Sequence, residues 1–259
     1  MDEHYKKKIA DEFLNCIRNT VSRINARTNE REANNNPFQN LLLPKEAIFW
    51  SRFERSFSTS FGQRAVETIS KYVALATGAE AASTQKVVDY SLAEGELNNI
   101  ANHIDTLRSN VLGRAPNWDS DLQLMQVPNP VRSRIVRSNF DLWYQREGID
   151  HYLTIKTVKP NIDQAATAKQ DLLRIKTAFP DCRAYFGMYY NPYGEDRVLY
   201  DHSPPFKIFN MREDSVVLIG KDYWDTIGCP GTYEEVLAIV DGVSEQARRI
   251  MEKYISEQQ

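Results

Sequence analysis

Cysteine is scarce in this chain of 259 residues: Cys16, Cys182 and Cys229 lie far apart and are odd in number. No Cys-x-x-Cys or Cys/His spacing marks a zinc site, and reduced thiols in a cytoplasmic protein are the expectation. Histidine is equally sparse. His4, His103, His151 and His202 are scattered, which gives no support to a His-ligated metal nuclease or a Ser/His/Asp hydrolase. A Gly-rich phosphate loop is missing, which argues against an NTPase. No apolar run is long enough to span a membrane, and the opening MDEHYKKKIADEF is too polar for a signal peptide. No internal repeat is visible. Nor is there an excess of positive charge: 32 Lys and Arg face 35 Asp and Glu, a net charge of −3. That counts mildly against a nucleic-acid partner, although local patches decide this more than totals.

What remains is an ordinary globular composition, 42% hydrophobic and 26% charged, in a chain long enough for a substantial core. Apolar residues at helical spacing predict helices over 5–26, 45–58, 62–77, 92–112 and 233–257. Between the first two, ARTNEREANNNPFQN reads as a loop, either a surface linker or a segment that orders on DNA. Residues 113–131 carry Gly113, Pro116, Pro128 and Pro130 and also read as a loop. Asp163 is placed to cap a helix over about 163–177. CRAYFGMYYN (182–191) and Val216–Ile219 read as strands. The order predicts a mixed α/β sheet flanked by helices, one domain over 1–259, with a mostly helical region over 1–112 and an α/β core over 132–259.

The centre of the chain is FDLWYQREGIDHYLTIKTVKPN, residues 140–161. Phe140–Tyr144 and His151–Val158 read as two strands, and Glu147-Gly148 as the tight turn between them. Tyr152, Thr154 and Lys156 alternate with Leu153, Ile155 and Thr157. Pro160 ends the strand, since it cannot extend a ladder. A turn at Glu147-Gly148 brings Asp141 and Lys156 near each other on paired strands. A carboxylate for a divalent metal beside an ammonium for phosphate and the attacking water suits phosphodiester hydrolysis. Arg132, Arg134 and Arg137 precede the hairpin and read either as phosphate contacts or as an ordinary solvated face. Lys159 and Asn161 follow it. They read either as base-edge contacts in the major groove or as a proline turn with a helix cap at Asn161.

Asp141-Leu142-Trp143 and Ile155-Lys156-Thr157-Val158-Lys159-Pro160-Asn161 resemble the core of the PD-(D/E)xK nucleases, and more narrowly the TdeIII family of type II restriction endonucleases. Phe61-Gly62-Gln63 followed by Glu67 belongs to the resemblance, as do Ile219–Trp224 and Gly231–Glu235. Together these blocks span roughly residues 50–250. Two positions depart from the pattern: Phe140 stands where the Pro of "PD" belongs, and Thr154 where the second acid belongs. The resemblance implies a Mg2+-dependent endonuclease cutting double-stranded DNA at a short palindromic site, GGNCC-like in some members. It also implies a homodimer and a cognate DNA methyltransferase. In that reading Asp141, Glu67 and the backbone carbonyl of Ile155 hold the metal, and Lys156 orients water and phosphate. Glu67 is the first candidate to compensate for the acid missing at Thr154, and Asp163 or Asp171 the second. Two readings stand beside it, a catalytically inactive DNA-binding module on a nuclease fold and a DNA-repair nuclease.

Overall fold

A computed structural model of the chain describes residues 1–28, 37–110, 113, 115–128 and 132–256. The loop expected over 26–40 lies largely outside them. The chain divides into two compact units, one of Met1–Tyr72 with Glu234–Gln259 and one of Val73–Tyr233.

The first unit is helical. Helices α1 (Glu3–Thr28), α2 (Pro37–Leu42) and α3 (Lys45–Ser60) lead through a π-helical turn, Phe61–Ala65, into α4 (Val66–Ala76). Phe49, Phe53, Phe57 and Phe61 recur every fourth residue, and the rings of Phe53, Phe57 and Phe61 stack in succession, with Phe61 also stacked on Phe13 of α1. At i,i+4 spacing such rings share one helix face. α2 begins at Pro37, within the stretch expected as a loop; Pro is tolerated in a first helical turn because the N–H it lacks has no partner there.

The second unit holds a five-stranded sheet in the order β1-β2-β3-β4-β5: β1 (Ala81–Ala93), β2 (Ser133–Arg146), β3 (Ile149–Ile155), β4 (Arg183–Met188) and β5 (Val217–Ile219). β1, β2 and β3 pair antiparallel, whereas β3, β4 and β5 pair parallel. The predicted mixed sheet flanked by helices is therefore the architecture found. The expected hairpin is β2–β3. Arg146 pairs with Ile149 across Glu147 and Gly148, both at positive φ (53° and 70°), as a two-residue turn of the I′ kind requires. β3 stops at Ile155, three residues before the expected end.

Helices α5 (Glu94–Ser109) and α7 (Ile162–Ala178) cover one sheet face. Ile100, Ile104 and Leu107 of α5 and Leu172, Leu173 and Ile175 of α7 join Phe140, Tyr152, Phe186, Met188 and Val217 in one buried cluster. α7 starts one residue earlier than expected, and its cap is Asn161 rather than Asp163. Asn161 accepts from the Gln164 amide at 2.8 Å, and Gln164 accepts from the Asn161 amide at 3.0 Å, a reciprocal capping box. Two short helices also escaped the sequence reading, α6 (Trp118–Gln123) and α8 (Lys221–Ile227), before the last helix, α9 (Thr232–Ser256). Lys169 of α7 is fully buried, at 0% exposure, and donates to Asp121 of α6 at 2.5 Å and to the Ile208 carbonyl at 2.6 Å. His103 of α5 lies 3.1 Å from the other oxygen of Asp121. Burial works to raise the Asp121 carboxyl, but His103 and Lys169 hold it below its usual value.

Candidate active site

β2 and β3 pair only as far as Leu142 opposite Leu153. On its other edge β3 pairs with β4 from His151 to Ile155, and that contact runs on past the strand's end: the Lys156 amide donates to the Gly187 carbonyl at 2.9 Å. The Ile155 amide is taken by a side chain: Asp141 Oδ2 accepts from it at 2.6 Å. Lys156 Nζ lies 3.6 Å from the same oxygen. The two side chains are 20% and 25% exposed, so they are neither sealed in the core nor free in solvent. The ladder's end thus fixes a carboxylate and an ammonium together at the carboxyl end of a parallel strand, the side of a sheet where ligands settle in open α/β folds.

The other Asp141 oxygen, Oδ1, faces Gln85 of β1, whose amide nitrogen is 3.5 Å away. Gln85 Oε1 in turn accepts from Asn139 Nδ2 at 2.8 Å. A carboxylate only accepts, so Gln85 presents its NH2 to Asp141 and leaves its oxygen for Asn139. Behind this row Asp171 of α7 accepts from Ser138 Oγ at 3.1 Å and from Arg174 at 3.3 Å. Burial pushes the Asp171 carboxyl up, against the pull of Ser138, Arg174 and Lys156.

The structure brings together Asp141, Ile155 and Lys156; Asp171 is bonded instead to Ser138 and Arg174. Glu67 is buried in the first turn of α4 and belongs to the helical unit. Asp163 is exposed and pairs with Arg108 of α5 at 2.8 Å. Arg134 donates to Glu94 at 2.7 Å, and Arg137 holds Asp89 through two bonds of 2.8 and 2.9 Å; both guanidiniums are already matched by an acid. Arg132 is exposed just before β2. Lys159 is exposed, its Nζ 5.5 Å from the centre of the Tyr193 ring. Its segment is pinned: Tyr200 donates to the Val158 carbonyl at 3.0 Å, and His202 Nε2 lies 3.0 Å from the Pro160 carbonyl. Asn161 spends its side-chain oxygen on the helix cap. Gln85, Asn139 and Ser138 were missed. The available signal was Val88, Tyr90 and Leu92, apolar residues at alternate positions that mark β1.

Magnesium prefers oxygen donors and keeps several waters, taking one or two carboxylates plus substrate phosphate. Among the described residues no three acids, histidines or cysteines cluster to cage a metal. One part-exposed carboxylate at the end of the β2–β3 ladder fits that sparse mode, because Oδ1 of Asp141 meets only the distant Gln85 amide.

The chain matches the family described as "Type II restriction endonuclease, HinfI" over residues 1–244. Among curated proteins it is similar to three type II restriction enzymes of Herpetosiphon aurantiacus. HgiBI and HgiEI are each 32% identical over 212 residues, and HgiCII is 30% identical over 211; in each case 78% of this chain and 75% of the relative are covered. By these matches the chain belongs to the HinfI family of type II restriction endonucleases, enzymes that cut DNA at specific sites.

Proposed function

We propose that this endonuclease hydrolyses phosphodiesters of double-stranded DNA with Mg2+ at the Asp141–Lys156 centre, in the manner of PD-(D/E)xK nucleases. The observation that carries the reading is the 3.6 Å approach of Lys156 Nζ to Asp141 Oδ2 at the end of the β2–β3 ladder. Asp141 and the Ile155 carbonyl would hold the ion, which when bound supplies positive charge against the phosphate and makes a water more acidic. The Ile155 amide locks the Asp141 carboxylate in place, so no reorientation is needed at the moment of reaction. Lys156 binds a phosphate oxygen and orients the attacking water. Thr154, buried at the position of the missing acid, carries no charge; Asp171, bonded to Ser138 of β2, is the acid we assign in its place. Glu67 enters from the sequence resemblance alone.

The narrower likeness to the TdeIII family rests on KTVKPN and the C-terminal blocks. A palindromic, GGNCC-like site, a homodimer whose two-fold axis matches it, cytoplasmic location and a cognate methyltransferase follow as further parts of this proposal. The test is digestion of plasmid DNA with and without Mg2+, with the ends sequenced. Discrete fragments are expected from the parent. Asp141→Asn and Lys156→Ala should each lower cleavage by at least about a hundredfold at an unchanged melting temperature, the scale seen when a preorganised catalytic contact is removed. Parental cleavage by either variant would end the assignment.

A further inference from the structure

Among the described residues three non-glycines have positive φ: Gln85, Asn110 and Glu147. Asn110 ends α5 and Glu147 sits in the hairpin turn, where left-handed backbone is usual. Gln85 (φ 52°) lies inside a 13-residue strand with no turn to explain it. Such outliers cost free energy and persist where the surroundings impose them, most often at functional sites.

Its place in the ladder gives a reason. Thr84 pairs with Leu142 and Lys86 with Phe140, so Gln85 stands across from Asp141. At this point both strands change faces. Phe140 belongs to the core cluster and Trp143 packs against the same cluster, three positions apart instead of an even number. Lys86 lies over the Trp143 ring at 4.2 Å although Ser83 is the residue paired with Trp143, again a step of three. Strict alternation would hold Asp141 in the pleat. The left-handed residue opposite lets both strands slip phase without losing register. Asp141 then reaches along the sheet to the Ile155 amide.

We propose that Gln85 is a positioning residue for cleavage. Its backbone permits the phase slip that aims Asp141, and its amide, oriented by Asn139, steadies Oδ1. This rests on Asp141 being the catalytic carboxylate as assigned above.

Two variants separate backbone from amide. Gln85→Gly keeps the left-handed conformation freely and deletes the amide. Gln85→Asn keeps an amide on a residue that tolerates the conformation. The expected result for Gln85→Gly is a melting temperature no lower than the parent's, kcat on plasmid DNA down about tenfold, KM little changed, and Mg2+ affinity of the DNA-free protein, read by calorimetry, weakened. Gln85→Asn should recover most of kcat. Parental kcat and Mg2+ affinity in Gln85→Gly would overturn the inference. So would a loss of kcat accompanied by a lower melting temperature, or a Gln85→Asn no better than the glycine. Asp141→Asn is run beside them: if it cleaves normally, the assignment of the centre fails, whereas a dead Asp141→Asn with a fully active Gln85→Gly sinks only the role of Gln85.

Discussion

Single side chains set what can be tested first. His151 on β3 stacks on Tyr144 with ring centres 4.3 Å apart, and burial, with Arg146 and Arg183 adding to it, depresses its pKa to about 4. The unfolded chain therefore binds a proton near pH 6.5 that the folded chain refuses until about 4. Stability associated with His151 is full above pH 6.5 and is lost as pH falls through that window. His151→Phe preserves a stack and should flatten the fall in melting temperature between pH 6.5 and 4; an unchanged acid limb would refute this. The charges away from the Asp141–Lys156 pair differ in kind. Arg137 is neutralised by Asp89, while Lys159 is exposed beside Tyr193. Lys159→Ala should reduce the slope of log affinity against log salt for DNA by about 0.9, the amount of one phosphate contact, and Arg137→Ala should reduce it less. Binding titrations at several salt concentrations decide this. The sequence showed Asp141 and Lys156 because residue types and turn spacing suffice to place them. It hid the pairing of Arg134 and Arg137, because their acids, Glu94 and Asp89, lie on elements distant in sequence.

At the scale of elements, the parallel strands hold the centre by a narrow contact. A Cβ on Gly187 would stand 2.6 Å from Tyr223 Cε2, and Tyr223 is completely buried with no room to retreat. The same Gly187 accepts from the Lys156 amide. Gly187→Ala should therefore cost about 1–3 kcal/mol of stability, as overpacked cores do, and displace Lys156, lowering cleavage beyond what the loss of folded protein explains. Chemical denaturation together with cleavage per folded molecule measures both parts. The hairpin, α7, β4 and β5 were legible because each has its own periodicity and a turn or proline to bound it. β1 was not. Its alternation of Val88, Tyr90 and Leu92 breaks at the left-handed Gln85, and its other half, Ala81–Thr84, is small and polar. α6 was concealed by the surrounding prolines, although Asn117 caps it by accepting from the Ser120 amide. The end of the β2–β3 ladder at Leu142 opposite Leu153 is a matter of long-range packing that no local pattern contains.

For the whole molecule, the question is whether the proposed metal would hold the fold or only serve its chemistry. Structural metal sites are closed cages whose loss unfolds the chain. Here no such cage exists among the described residues. The interior of the α/β unit closes by other means: the apolar cluster between the sheet and α5 and α7, and the buried Lys169–Asp121–His103 contacts among α5, α6 and α7. Asp141 is already satisfied on one oxygen by the Ile155 amide without a cation. A metal that meets one carboxylate and a carbonyl stabilises the folded state only by mass action, about 1 kcal/mol at a concentration several times its dissociation constant. Chelation by EDTA should therefore abolish cleavage while moving the melting temperature by no more than about 4 °C, the shift such a free energy gives in a chain of this size. DNA binding should persist, since positive side chains such as Lys156 and Lys159 keep their charge without the ion. A melting transition that collapses on chelation would show instead that the cation is part of the architecture, and would move the search for its ligands away from the end of the β2–β3 ladder.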